Sequence, residues 1–531
     1  MIGVWAGEKA RLGRGDVASA LLVCKHFFNR IHAIIGGELP FDLPRFCYVF
    51  CVFFSKKVFS IAAVLAIFCL ANTGSVAKAK PNVLFIAVDD LNNDLGCYGH
   101  PLVQSPNIDR LARRGMRFDR AYCQYPVCNP SRASFMTGLY PEQTGVLSNA
   151  GDFRKRHPDI TTLSQHFMNN GYFVARVGKI YHYGVPLQIG TDGKDDAASW
   201  NTVINPIGID RTELEPVATL QKGKYGGTLS WRIVESRDDD HTDGKGALEA
   251  IRLIEENHPD KTGKPFFLAM GFFRPHTPYV APAHYANLYP LDKIDPVMEK
   301  PGDRDDIPPA ALADRVHQRE LSLAKRREII QAYYASISLM DACVGKLLDT
   351  LDRLKLADNT IVVFFSDHGY HLGQHGLWQK SDLFEGSARV PLILSIPGMK
   401  NAGQSSDSLA ELIDLYPTLA GLCGLAKPAH LNGVSLMPVL NNPKAKVRQA
   451  AFTVTRIRGK IPGVKKNNQL GHTIRTERYR YTEWGDGEHG VELYDYKSDP
   501  DEYTNLAKRD SAKKVFTRMQ RLMQATRAHT R

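Results

Sequence analysis

The sequence predicts an α/β protein built around an open sheet, and three features predict it. Short apolar runs alternate with segments of helical period. Several of those runs are apolar at nearly every position, as strands covered on both faces are. The polar residues suited to chemistry sit just beyond the carboxyl ends of the runs, where ligands bind in open α/β sheets.

Asn82–Val88 is the first such strand, and Pro106–Arg114 follows as a helix with Ser105 as its cap. Thr162–Asn170 reads as a helix leading into a Phe173–Val177 strand, and Pro265–Gly271 as another buried strand. The strongest helix is Lys325–Leu356. There Ile329, Ile330, Tyr333, Ile337, Met340, Val344, Leu347, Leu348 and Leu351 recur at helical spacing, the pattern of a core-packing helix. Ile361–Phe365 and Val390–Ile396 are further strands. Turn-rich sequence at Lys427–Lys446 breaks the alternation. Beyond it, Ala450–Val454 and Tyr479–Trp484 read as short strands and Ala512–Thr526 as a closing helix. A boundary near Asn442 therefore divides a large domain, residues 80–442, from a smaller one, residues 443–531.

The amino-terminal segment, residues 1–79, stands apart. Lys56 and Lys57 precede the apolar run Val58–Leu70, and small residues continue to Ala77-Lys78-Ala79, the three regions of a secretory signal. The expectation is export to the periplasm or the outside, with a membrane anchor as the alternative if the signal stays uncleaved. Residues 1–55 show little periodicity, which suggests a translation start placed too far upstream. The net charge is +11, and nine Lys/Arg against four Asp/Glu in residues 1–79 account for +5 of it. The moderate remaining excess suits an anionic substrate. No basic stripe interleaved with aromatics is present, which argues against nucleic acid. Five cysteines follow the leader, Cys97, Cys123, Cys128, Cys343 and Cys423, without the spacing of a disulfide framework or a zinc site.

Asp89 and Asp90 directly follow the first strand, where adjacent carboxylates repel unless a cation or strong donors are present. Asp-Asp at a strand end is commonly only a turn or a helix cap. A second acidic site changes the reading: Asp367-His368-Gly369 repeats the arrangement after Ile361–Phe365. Three carboxylates and one imidazole form a mostly oxygen-donor cage, suited to Ca²⁺ or Mg²⁺ rather than zinc.

Between the two acidic segments lies Cys128-Asn129-Pro130-Ser131-Arg132, continuing to Thr137-Gly138. A lone cysteine is usually a small buried hydrophobe, but this string resembles the signature of the type I sulfatases. In that family the cysteine is oxidised to formylglycine by a formylglycine-generating enzyme during export. The resemblance implies a hydrate with one hydroxyl to attack sulfur and a second whose deprotonation expels sulfate. It places Cys128 among the metal ligands and gives Arg132 the task of holding the hydrate and neutralising sulfate oxygens. Gly178-Lys179 with His182 is similar to the next family motif, in which the lysine binds sulfate and the histidine assists hydrate turnover. Arg274-Pro275-His276-Thr277-Pro278 resembles the segment that supplies a proton donor, and prolines on both sides of His276 stiffen it. Lys380 matches the lysine that meets sulfate and the leaving-group oxygen, and Asp367 takes the hydrate proton.

The likeness covers roughly Pro81–Leu506 and is nearest to the iduronate-2-sulfatase branch, through Leu95–Gly99, Ser105–Asp109, Gly271–His276 and the metal-site His368. It implies an alkaline-phosphatase-like α/β sandwich, a large mixed and mainly parallel sheet flanked by helices. A smaller α+β domain with a short antiparallel sheet would follow. The implied substrate is a sulfated carbohydrate. The stretch Ile189–Asp240 shows no match, and Arg211, Lys222 or Lys224 within it could meet a uronate carboxylate. A phosphodiesterase or phosphonate monoester hydrolase of the same superfold, or a non-catalytic polysaccharide-binding protein, are the competing readings.

Overall fold

The computed structural model describes residues 80–459, 461 and 469–530; the leader and its signal-like run lie outside the described residues. In chain order the central sheet contains β1 (Asn82–Asp89), β2 (Met116–Tyr122), β3 (Phe173–Gly178), β4 (Thr202–Ile204) and β5 (Phe266–Pro275). It continues with β6 (Thr360–Ser366), β7 (Arg389–Ser395), β8 (Ser405–Ser406) and β9 (Ala410–Glu411). In space the order is β8-β2-β7-β6-β1-β5-β3-β4, with β9 also paired to β2. The pairs β6-β1, β1-β5, β5-β3 and β3-β4 are parallel, while β7 runs antiparallel to both β2 and β6. The sheet is thus mixed and mainly parallel.

The continuous apolar run of β1 has a direct cause: all eight of its residues are buried, because each face of the sheet carries its own core. Leu84, Ile86 and Val88 point into one core with α1 (Pro106–Arg114), α4 (Thr242–Glu256) and α5 (Leu323–Arg353). Val83, Phe85 and Ala87 point into the other with α2 (Cys128–Thr137), α3 (Leu163–Asn169) and α6 (Leu415–Leu422). The long helix α5 begins two residues earlier than its periodicity suggests, where Ser322 Oγ accepts from Lys325 N, and it ends at Arg353. Ser105 does stand at the start of α1, but its side chain makes no capping bond. Its hydroxyl instead accepts from Gly96 N at 2.8 Å and donates to Asp109 Oδ1 at 3.1 Å.

Beyond the sheet, β10 (Ala451–Arg456), β11 (Leu470–Arg475), β12 (Tyr479–Trp484) and β13 (Val491–Asp495) form a four-stranded antiparallel sheet in sequence order. The helix α7 (Lys513–Thr530) covers it through Met519 and Met523, which pack with Phe452, Val454, Ile474 and Leu493. The strands β11 and β13 add to the two read from sequence. This smaller sheet meets the larger one at the end of β2, where Val454 N donates to Gln124 O at 2.9 Å. The architecture is the α/β sandwich with a smaller carboxyl-terminal antiparallel sheet that the sequence predicts. For function, the useful consequence is that β6, β1, β5 and β3 are neighbours running the same way. Their carboxyl ends deliver Asp367 and His368, Asp89 and Asp90, His276, and Lys179 to one crevice.

Candidate active site

The turn after β1 sets the geometry. Asp90 adopts a left-handed φ of 63°, which is uncommon outside glycine and marks a backbone held by its surroundings. Tyr333 of α5 supplies the hold: its hydroxyl donates to Asp90 O at 2.8 Å and accepts from Asn92 N at 3.0 Å. At the neighbouring strand end, Asp367 N donates to Val88 O at 3.0 Å and Ser366 Oγ accepts from Leu91 N at 3.0 Å. The two acidic segments are therefore fastened to each other. Asp89, Asp90, Asp367 and His368 are all fully buried.

Cys128 opens α2 with its side chain buried, so the positive end of the helix dipole faces this cluster. Cys128 Sγ lies 3.5 Å from His368 Nε2 and 3.4 Å from Lys380 Nζ. One turn along, Ser131 Oγ donates to Asp367 O. Arg132 is completely enclosed. Its Nε donates to Asp367 Oδ2 at 2.8 Å, its Nη2 sits 3.4 Å from Asp89 Oδ1, and its Nη1 serves the carbonyls of Lys179 and Ile180. Arg132 thus braces three of the strand ends against α2.

The cations face the carboxylates. Lys179 Nζ pairs with Asp89 Oδ2, and Lys380 Nζ with Asp90 Oδ1. Gln379 and Ser381, on either side of Lys380, both have positive φ, at 71° and 93°. His276 Nε2 stands 3.8 Å from Asp90 Oδ2, and the carbonyl of Thr277 accepts from its Nδ1, which fixes the proton on that nitrogen and leaves Nε2 facing the site. His182 is buried, and its Nδ1 has no hydrogen-bond partner.

These contacts shift the acid–base behaviour. Burial pushes the Cys128 thiol up, but Lys179 and Lys380, with hydrogen bonds from His182 and His276, hold it well below its ordinary value. Burial raises Asp367 to about 7 against the pull of Arg132 and His368. Burial and Cys128 push Asp89 up, yet Lys179, His276 and Arg132 keep it below the usual carboxylate range. Burial opposes the charge on His368, and Asp367 raises it to about 9. Burial lowers His182, which keeps that imidazole neutral.

The donor set fits a hard divalent cation. One ligand atom each from Asp89, Asp90, Cys128 and His368 lie within 4.8 Å of one another. Asp367 Oδ1 adjoins this group, 3.5 Å from His368 Nε2 and 3.3 Å from Asp90 N. Asp90 Oδ2 is buried and accepts no hydrogen bond, an orphaned lone pair of the kind a metal satisfies.

Every site residue expected from sequence is thus brought to one crevice. Of the lysines and arginine expected to meet a uronate, Lys222 and Lys224 are exposed, and Arg211 donates to Leu187 O at 3.2 Å. Sequence reasoning missed Tyr333 as a brace, which it counted only as core, and missed Asp210, which accepts from Arg274 Nη2 at 2.8 Å. No local pattern marks either role.

Comparison with known proteins agrees with this geometry. The family described as Sulfatase matches residues 81–425, and the family described as N-sulphoglucosamine sulphohydrolase, C-terminal, matches residues 373–529. The chain is 32% identical to the iduronate 2-sulfatase of Mus musculus, covering 83% of this chain and 94% of that protein. It is 34% identical to a sulfatase of Formosa agariphila, covering 85% and 87% of the two chains. Among solved structures, the phosphonate monoester hydrolase of Agrobacterium radiobacter superposes with a TM-score of 0.71 at 23% identity, covering 85% of this chain and 96% of that one, which is a likeness of fold. With its signature cysteine set among the strand-end acids, lysines and histidines, the chain belongs to the sulfatase family of sulfuric ester hydrolases.

Proposed function

We propose that Cys128 is the precursor of a formylglycine, made by a formylglycine-generating maturation enzyme, and that the protein uses it to remove a sulfate ester from a carbohydrate. The observation that carries this reading is the placement of Cys128 Sγ between Lys380 Nζ and His368 Nε2, in a buried pocket whose remaining walls are proton carriers and cations. Asp89, Asp90, Asp367, His368 and the side chain at position 128 would hold Ca²⁺, with Mg²⁺ as the alternative ion. That cation supplies charge neutralisation at sulfate oxygens. A hydrated aldehyde at position 128 supplies the hydroxyl that attacks sulfur and a second hydroxyl whose ionisation releases sulfate.

The chain's own side chains do the rest. Lys179 and Lys380 neutralise charge that develops on the sulfate. Asp367, raised by burial to about 7, is a carboxylate able to take the proton of the attacking hydroxyl. His276, with its proton fixed on Nδ1, presents Nε2 to the leaving oxygen and, protonated there, serves as the acid with Lys380 alongside. His182, held neutral by burial, accepts the later proton. Arg132 keeps α2 in register with Asp367 and Asp89.

The likeness to iduronate 2-sulfatases supports a 2-O-sulfated uronic acid at a chain end as substrate, from which the sulfate is released. The leader supports export. The test is the mass of the Cys128 peptide from protein co-expressed with a formylglycine-generating enzyme, followed by relative rates on aryl sulfate and aryl phosphate esters. An aldehyde at position 128 with sulfate preferred is expected. An unmodified thiol, or preference for the phosphate ester, overturns the reading.

A further inference from the structure

Arg315 lies between β5 and α5, in a stretch with no periodic signal, yet its contacts tie it to the mouth of the crevice. Its Nη1 donates to Gly227 O at 3.0 Å. The next residue, Thr228, accepts through its carbonyl from Thr277 Oγ1 at 2.9 Å, and Thr277 directly follows His276. On the other side, buried Gln318 donates through Nε2 to Gln379 Oε1 at 2.9 Å, and Gln379 directly precedes Lys380. Between these anchors His317 contacts Gln221 and Thr228. The Arg315–Gln318 segment is therefore strung between the loop that presents His276 and the loop that presents Lys380, the two groups assigned to the leaving oxygen.

Arg315 is half-buried, and among the described residues no carboxylate forms an ion pair with it. Burial pulls its guanidinium below the ordinary value, with Tyr370, Arg458, Asp90 and Tyr279 as its electrostatic neighbours. Arg458, two residues beyond the first strand of the carboxyl-terminal sheet, is a second cation within electrostatic reach of Arg315. A partly desolvated guanidinium without a counter-ion is unfavourable unless a ligand brings one. The bond to Gly227 leaves most of its planar donor fork available, and that fork matches an oxyanion.

We propose that Arg315 determines specificity by binding a second anionic group of the sugar, a carboxylate or a further sulfate ester, while the sulfate to be cleaved lies at Cys128. This rests on the sulfatase reading above. Of the candidates offered by the sequence, Lys222 and Lys224 are exposed and Arg211 is bonded to Leu187 O from the short helix Ile209–Thr212, whereas Arg315 is half-buried and adjoins the segments that carry His276 and Lys380.

The test measures kcat and KM for wild type, Arg315→Gln and Arg315→Lys on an aryl sulfate and on a 2-O-sulfated uronic acid. The panel adds its carboxyl-reduced counterpart and a disulfated hexosamine with its monosulfated form. Thermal melting reports folding. Wild type should prefer the doubly anionic sugars. Arg315→Gln should raise KM on them by about 100-fold, the worth of a charge-assisted hydrogen-bond pair. It should lower their kcat/KM relative to aryl sulfate by a similar factor, and Arg315→Lys should recover part of it. A wild-type KM that rises on carboxyl reduction assigns the subsite to carboxylate, and one that rises on loss of the second sulfate assigns it to sulfate. A ratio that Arg315→Gln leaves unmoved, or a wild type indifferent to the second anion, overturns this proposal and leaves the sulfatase reading standing. No turnover of any sulfate ester by protein carrying the modified Cys128 overturns both.

Discussion

Replacing Arg274 with methionine tests whether one buried guanidinium holds the loop that carries His276. Arg274 is 1% exposed; its Nη1 serves the carbonyls of His276 and Pro278, and its Nη2 donates to Asp210 Oδ2 at 2.8 Å. Asp210 also accepts from Thr242 N at 2.8 Å and Thr242 Oγ1 at 2.7 Å. Burial pushes the Asp210 carboxyl up, and Arg274 with the Thr242 bonds keeps it below its ordinary range. Methionine fills much of the arginine's volume, so the loss is mainly electrostatic. Removing one member of a buried pair costs about 3–5 kcal/mol, because the other is left charged and enclosed. Two carbonyls without donors add roughly 1–3 kcal/mol each. A shift of about 1 Å in His276 should lower kcat about 100-fold. Urea unfolding and aryl sulfate turnover measure the two effects. The double variant Arg274→Met, Asp210→Asn should regain roughly 2 kcal/mol over Arg274→Met alone, since the stranded charge is gone. Arg274→Met within about 1 kcal/mol of wild type and with unchanged kcat would refute the reasoning.

Three further outcomes follow from the same geometry. A chelator should abolish activity and Ca²⁺ should restore it, and Asp90→Asn should weaken that restoration by removing ligand charge at the orphaned Oδ2; full activity in excess chelator contradicts this. Gly271→Ala should cost about 3 kcal/mol or more and displace Lys179, because a Cβ there would stand 2.2 Å from the Lys179 backbone, which cannot yield; a wild-type melting temperature and kcat would count against it. Burial raises Glu492 to about 7, where it accepts from Trp484 Nε1 and Tyr494 OH, so the folded chain holds that proton more tightly than the unfolded one. Its contribution is intact below about 4.5 and is lost as pH rises through 7, so the stability of Glu492→Gln relative to wild type should climb by roughly 1–3 kcal/mol from pH 5 to pH 8. A pH-independent difference would refute it.

Much of the fold was legible because its central strands are buried on both faces. The eight residues of β1 feed two cores in alternation, and only an apolar residue at every position permits that. The α5 helix was legible for the same reason in helical period. By contrast, β2 carries Arg117, Asp119 and Arg120 on its less covered face, which hides it as a strand. The α4 helix contains Gly244 and Gly246, residues that disfavour helix, yet a Cβ at Gly244 would stand 1.9 Å from the backbone oxygen of Asp238, which cannot yield, so the close approach of that turn requires the glycine. The β5 strand runs on through Arg274 and Pro275, a charge and an imino acid that local propensity assigns to a loop. The candidate site was legible because its residues occur in short contiguous strings at strand ends. Arg315, Asp210 and the brace from Tyr333 were not, because their roles arise from contacts across 64 to 243 residues of chain.

The most direct test of the account is sulfate release from an aryl sulfate by matured wild type and Cys128→Ala, purified side by side and matched for thermal melting. Both attacking and releasing oxygens are assigned to the side chain at position 128, while Ala keeps the helical start of α2. The account predicts turnover by wild type and none above background by Cys128→Ala, with the same melting profile. Substantial turnover by the folded Cys128→Ala protein would contradict it.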